Sequence, residues 1–105
     1  VNKADDRAGF TPLIIAAQKG YEPVVGMLIA AGADVNKTNK QGMAPLHMAA
    51  QCGHEPVVRA LIAAGAEIDK AGQGVTALSI AGNAGHAEVV QLLIAAGADL
   101  NLFLW

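Results

Sequence analysis

A chain of 105 residues has room for one domain. Hydrophobic residues make up 53% of it and aromatic residues only 4%, so the interior has to be aliphatic and rich in alanine, a composition suited to small helices packed closely. A net charge of −2 and a pI near 5.8 offer no broad attraction for nucleic acid or an anionic membrane, and neither is an expected partner.

The first eight residues, Val1 to Ala8, read as the tail of a unit that precedes the first complete one. The chain therefore starts inside a hairpin, as expected of a fragment of a longer array or, as the other reading, of a natural end without the polar capping repeat of a solenoid. From Gly9 the sequence runs GFTPLIIAAQKGYEPVVGMLIAAGADVN to Asn36. Thr11 is an N-cap and Pro12 takes the first helical position, where its missing N–H costs nothing. A short helix is therefore expected from Pro12 to about Lys19, with Leu13, Ala16 and Ala17 on one face and the two alanines admitting a close neighbour. Gly20 turns the chain. A second helix follows from about Glu22 to Ala31, with Val24, Val25, Leu28 and Ile29 on its buried side. Gly32 ends it in a left-handed conformation. Gly26 weakens that helix by roughly 1 kcal/mol relative to alanine.

The middle stretch, GMAPLHMAAQCGHEPVVRALIAAGAEID from Gly42 to Asp69, repeats the first. The third, GVTALSIAGNAGHAEVVQLLIAAGADLN from Gly74 to Asn101, repeats it again. Leu13 to Leu46 and Gly32 to Gly65 are each 33 positions, whereas Leu46 to Leu78 and Gly65 to Gly97 are each 32. One residue is missing from the third unit, in the glycine-rich hairpin around Lys70 to Gln73. Ala44 replaces the capping threonine in the second unit, at an expected cost of about 1 kcal/mol. The third keeps Thr76 but has Ala77 for proline and Gly82 for the second alanine, so its first helix should be the least stable. Helices this short stand only by burying a face against neighbours, and three units are about the minimum for that.

The chain ends in LNLFLW. Phe103 and Trp105, with Leu102 and Leu104, are expected to fold over the open apolar edge of the third unit, or else to pack on another chain or belong to an interface with a following repeat.

A turn glycine, TPL, paired alanines, a Gly-His pair, a valine and leucine run and GADVN, all in register at this period, resemble the ankyrin repeat. The resemblance covers essentially all of the chain. It implies an all-α solenoid of stacked helix-turn-helix units joined by hairpin loops, one domain over residues 1–105 with repeats at approximately 6–38, 39–70 and 71–105. It also implies non-catalytic binding of a partner protein through hairpin tips and inner-helix surface. His47 matches the histidine of TPLH, which in that family bonds within and between repeats; Ile14 and Ser79 replace it in the outer units. His54 and His86 match the structural Gly-His pair.

Nothing in the sequence demands an enzyme. His47, His54 and His86 lack the convergent spacing of a metal site. Cys52 beside His54 lacks a third group to orient a base, and Asp5 with Asp6 reads as a solvated turn. Without a phosphate-binding glycine loop, no cofactor is expected either. One cysteine excludes an intrachain disulfide framework and fits a reducing compartment. No apolar run approaches the roughly 18 residues of a membrane span, and no signal-peptide pattern opens the chain. An intracellular, cytoplasmic location is expected.

Positions that differ between copies are free to meet a partner. They are Arg7, Ala8, Phe10, Gln18 and Lys19 in the first unit, and Lys40, Gln41, Met43, Gln51 and Cys52 in the second. In the third they are Gly72, Gln73, Val75, Asn83 and Ala84. Stacking aligns Phe10, Met43 and Val75 into a row, which with Arg7, Lys19 and Lys40 nearby suits a partner segment carrying apolar anchors and acidic residues; the plainer reading is that each packs on the adjoining hairpin. By resemblance to the pattern that intracellular asparagine hydroxylases accept, Asn36 is a modification candidate, against a plain role in holding its hairpin. A competing function is self-assembly into homo-oligomers through the terminal faces and the apolar tail. A third reading, an engineered binding scaffold, is opposed by the departures at Ile14, Ala44, Ala77, Gly82 and the short hairpin.

Overall fold

The computed structural model describes residues 9–72 and 74–98, and these hold six helices. In chain order they are α1 (Pro12–Lys19), α2 (Glu22–Ala30), α3 (Pro45–Cys52), α4 (Glu55–Ala63), α5 (Ala77–Asn83) and α6 (Ala87–Ala95). The first helices of the units, α1, α3 and α5, lie side by side as one row, and α2, α4 and α6 form a second row against it. This is the all-α stack of helix pairs that the resemblance implies.

Local chemistry sets the helix starts. Thr11 holds an extended backbone and its hydroxyl accepts the Ile14 N–H at 3.2 Å, while Thr76 does the same for Ser79 at 3.2 Å. Ala44 has the same extended backbone but no side-chain acceptor, so the corresponding cap is absent from α3. The ends follow the expected pattern, with Ala31 outside α2 as its cap residue. Helix α5 stops at Asn83 and is one residue shorter than α1 and α3.

Between the rows lies an aliphatic core. Leu13, Leu46 and Leu78 repeat in register and are essentially inaccessible, as are Ala16, Ala17, Ala49, Ala50 and Ala81. Each buried leucine contributes about 1.5–3 kcal/mol, and the alanines bring neighbouring helices close enough to exclude water. The outer row buries Val25, Val57, Val58, Leu61, Val89 and Leu93. One expectation is corrected here. Val24 is expected on the buried side of α2, yet it is 40% exposed, whereas the equivalent Val57 and Val89 are 0% and 1% exposed. Those two are covered by the preceding unit, and no described unit precedes α2. Leu28 and Ile29 are half-buried.

The hairpins show where the missing residue went. In the second, Asn39 and Met43 bracket a three-residue loop: the Asn39 N–H bonds to the Met43 carbonyl at 3.0 Å. The Asn39 side-chain oxygen accepts the N–H groups of Gln41 and Met43 at 2.9 and 3.0 Å. In the third, Gly72 and Val75 exchange both backbone hydrogen bonds, at 2.8 and 3.1 Å, around only residues 73 and 74. Gly72 also has to be glycine, because a Cβ there would lie 2.5 Å from the Gly42 carbonyl oxygen and 2.7 Å from Met43 Sδ. The shortened loop thus presses directly on the hairpin before it.

Candidate protein-interaction surface

Polar bonds lock each unit to the next and thereby remove several side chains from the pool available to a partner. His54 Nε2 donates to the Gln18 carbonyl and His86 Nε2 to the Gln51 carbonyl, each at 3.0 Å. The two rings lie flat over the glycines that end α1 and α3. A Cβ on Gly20 would come within 2.7 Å of the His54 ring, and one on Gly53 within 2.6 Å of His86. The Gly-His pair is therefore two halves of one joint, each glycine receiving the histidine of the following unit.

His47 makes a second joint. Its Nδ1 accepts the Ala44 N–H at 3.0 Å and its Nε2 donates to the Lys70 carbonyl at 2.8 Å. An N–H facing Nδ1 and a carbonyl facing Nε2 fix the neutral Nε2–H tautomer. Burial holds the His47 pKa below its ordinary 6.5, opposed by the carbonyls of Lys70 and Val75 and assisted by the nearby Lys70 charge. In the outer units other side chains fill the site: Ile14 is fully buried, and Ser79 Oγ accepts a hydrogen bond from the Thr76 hydroxyl at 3.3 Å.

Asn36 supplies a third joint. Its side-chain oxygen accepts the Glu67 N–H from the following unit at 2.8 Å, while its own N–H bonds to Asp34 at 2.9 Å. The carboxamide oxygen thus ties Asn36 to the following unit. Sequence reasoning also passed over Asn39, although it is only 5% exposed and organises the second hairpin. Its signal was the equivalence of Asn39 with Asp6, both three positions before the turn glycine.

Most of the differing positions among the described residues are exposed, although Gly72 is buried. Gln18 and Lys19 at the end of α1, Lys40 and Gln41 at the second hairpin tip, Gln51 and Cys52 at the end of α3, and Asn83 at the end of α5 all face solvent. Phe10, Met43 and Val75 are half-buried, and the sulfur of Met43 lies against the third hairpin. Their row is thus partly a packing seam between hairpins and only partly a free strip. Arg7, Gln73, Phe103 and Trp105 lie outside the described residues. Among the described residues no three His, Cys, Asp or Glu side chains come together to hold a metal ion, and no helix is long and apolar enough to cross a membrane.

The Gly-His joint recurs at corresponding positions, and the sequence pattern around it matches a known family: a model for ankyrin repeats, in three copies, aligns with residues 13–103. The chain belongs to the ankyrin repeat family. A search of curated proteins returned no match. Ankyrin repeats are in general protein-protein interaction modules and typically non-catalytic. In this ankyrin repeat chain the exposed positions at the ends of α1, α3 and α5 each occur once per repeat.

Proposed function

We propose that this ankyrin repeat chain is a non-catalytic recognition module that binds a partner protein across the hairpin tips and the ends of α1, α3 and α5. The observation that carries the reading is the division of labour among side chains. Gly20, Gly53, His47, His54, His86 and Asn36 are consumed by joints between repeats, whereas Gln18, Lys19, Lys40, Gln41, Gln51, Cys52 and Asn83 are exposed. Three of those seven are carboxamides at equivalent helix ends, able to donate and accept, and Lys19 and Lys40 bring positive charge to a chain that is acidic overall. A partner segment with acidic and amide groups along an extended edge fits this row, with Phe10, Met43 and Val75 giving apolar support at their exposed parts. Because the surface is held by the joints, little ordering accompanies binding.

Cys52 gives a direct test, since it is exposed, central to the row and the one cysteine of the chain. A photoreactive maleimide on Cys52 should crosslink a protein from source lysate. A Cys52→Ser, Glu88→Cys chain carrying the same group on the outer row should not capture it. Capture at Cys52 should also fall in a folded Gln18→Ala, Lys40→Glu, Gln51→Ala variant. Equal capture from both attachment points, or capture indifferent to that variant, would refute the assignment of the row.

A further inference from the structure

The second and third hairpins are held in different ways. In the second, the Asn39 carboxamide takes the N–H groups of Gln41 and Met43 at 2.9 and 3.0 Å, so the loop carries its own brace. Gly72 stands in the same place in the third: Asn39 and Gly72 each donate the N–H to the carbonyl of the residue after the turn glycine, Met43 or Val75. Gly72 has no side chain, and none fits there. What holds the third hairpin comes instead from the preceding helix. His47, 1% exposed, lies with Nε2 on the Lys70 carbonyl at 2.8 Å and Nδ1 on the Ala44 N–H at 3.0 Å. At the equivalent place before the second hairpin stands Ile14, whose side chain cannot hydrogen-bond. One hairpin is braced from within, the other from outside by a titratable ring.

A second proton on this ring is not accommodated in place. It would bind at Nδ1, where the Ala44 N–H already points, so that two donors face each other. The surrounding charges do not offset it. Helices α1 and α5, packed on either side of α3, carry one charged residue between them, Lys19, at the far end of α1. Helix α4 brings Glu55 and Arg59, paired with each other at 3.0 Å. The second hairpin carries Asp34, Lys37 and Lys40, and the third Glu67, Asp69 and Lys70, of which Glu67 pairs with Lys70 at 3.7 Å. Among the described residues the charge that bears on the ring is that of Lys70, which repels a cation. A buried imidazolium without a counter-charge is costly, so the charged ring moves out to water and its bond to Lys70 goes with it.

We infer that His47 is an acid-operated latch on the third hairpin: protonation of the ring releases Lys70, Gly72 and Val75 while the second hairpin and the helix stack stay closed. The released stretch is bounded on both sides. Upstream the Asn36 carboxamide keeps the Glu67 N–H at 2.8 Å, and downstream the Thr76 hydroxyl keeps the Ser79 N–H at 3.2 Å. His54 and His86 do not latch in this way, since each meets a carbonyl through Nε2–H, a bond that a second proton leaves intact. Val75, and Met43 through its contact with Gly72, belong to the row proposed for recognition, so the latch also tunes that row. That consequence rests on the recognition reading, whereas the latch is tested without a partner and stands or fails separately.

Native-state hydrogen exchange of the full chain, read by NMR as protection factors from neutral pH downward past 6.5, tests the inference. The Gly72 and Val75 amides, which bond to each other's carbonyls across the hairpin, are the reporters. Their protection should fall by about tenfold per pH unit below 6.5, the range in which the released ring is charged and the latched one neutral. The Asn39 and Gly42 amides of the second hairpin should show no such slope. In His47→Gln, which does not titrate there, Gly72 and Val75 should lose theirs as well. Should that variant fail to fold, the wild-type ring decides: Nδ1 has to gain its proton at the acid end of the range while the second-hairpin amides stay protected. Flat protection at Gly72 and Val75 down to the pH at which α3 itself unfolds overturns the inference. So does a loss shared equally by the second hairpin, or a slope that His47→Gln retains.

Discussion

Replacing Gly53 by alanine isolates the joint between repeats, because Gly85 offers the same substitution with no ring of a described residue above it. At φ of 73° and 79° both positions lie in the left-handed region, where an alanine costs about 1–2 kcal/mol. At Gly85 that is the expected effect, since among the described residues nothing lies within 4 Å of the new methyl. At Gly53 the methyl would sit 2.6 Å from His86 Nδ1 and 2.7 Å from Cε1, so the imidazole has to leave. Its departure breaks the 3.0 Å bond to the Gln51 carbonyl, a loss of about 1 kcal/mol. Displacing the ring from its seat adds about 1 kcal/mol, the lower end for overpacking, because His86 is half-exposed and can swing toward solvent. Gly53→Ala should therefore destabilise by about 2 kcal/mol more than Gly85→Ala, a further fall in Tm of very roughly 10 °C for a domain of this size. Urea denaturation followed by circular dichroism measures the difference. In a His86→Ala background the excess should vanish, leaving the two glycine substitutions equal. Equal costs in the wild-type background, or an excess that survives removal of the imidazole, would sink the argument that ring and glycine form one joint.

Other substitutions test other links in the chain of reasoning. Gly26→Ala fills open space on a helix surface and should stabilise by about 1 kcal/mol, seen as a higher urea midpoint at unchanged m. Ala44→Thr supplies to α3 the cap that Thr11 and Thr76 give their helices, with a gain of about 1 kcal/mol by the same assay; a loss would mean the buried site does not admit the larger side chain. Since the folded pKa of His47 is depressed, the unfolded chain binds more protons in the window below 6.5. Its contribution to stability is present above 6.5 and is lost as pH falls through the folded pKa. His47→Gln keeps an acceptor for Ala44 and a donor for Lys70 but cannot titrate there, so its urea midpoint should fall less than that of the wild type on acidification. Parallel pH profiles would contradict this account. Asn36→Ala removes the acceptor of the Glu67 N–H and should cost about 1 kcal/mol, with hydrogen exchange at the Glu67 amide accelerated.

What the sequence determined by itself is the local structure and the register of the stack. Thr11 with Pro12, the glycine after each helix and the apolar spacing of Leu13, Ala16 and Ala17 act within a few residues, so caps, helix spans and the period could be read directly. Even the lost residue of the third hairpin could be counted. The tertiary structure alone decided which equivalent residues have equivalent surroundings. Val24 and Val57 are the same residue in the same helix context, yet one is exposed and the other buried, because burial depends on the neighbouring repeat and not on the chain around the residue. The same holds for the joints: His54 reaches the Gln18 carbonyl across 36 positions and Asn36 reaches Glu67 across 31. Local spacing could mark Gly20 and Gly53 as turns, but only stacking shows that each must leave room for the next repeat's imidazole. It is stacking again that draws Phe10, Met43 and Val75 partly into the seam, since an apolar side chain at a hairpin edge packs on whatever surface the adjoining hairpin brings within reach.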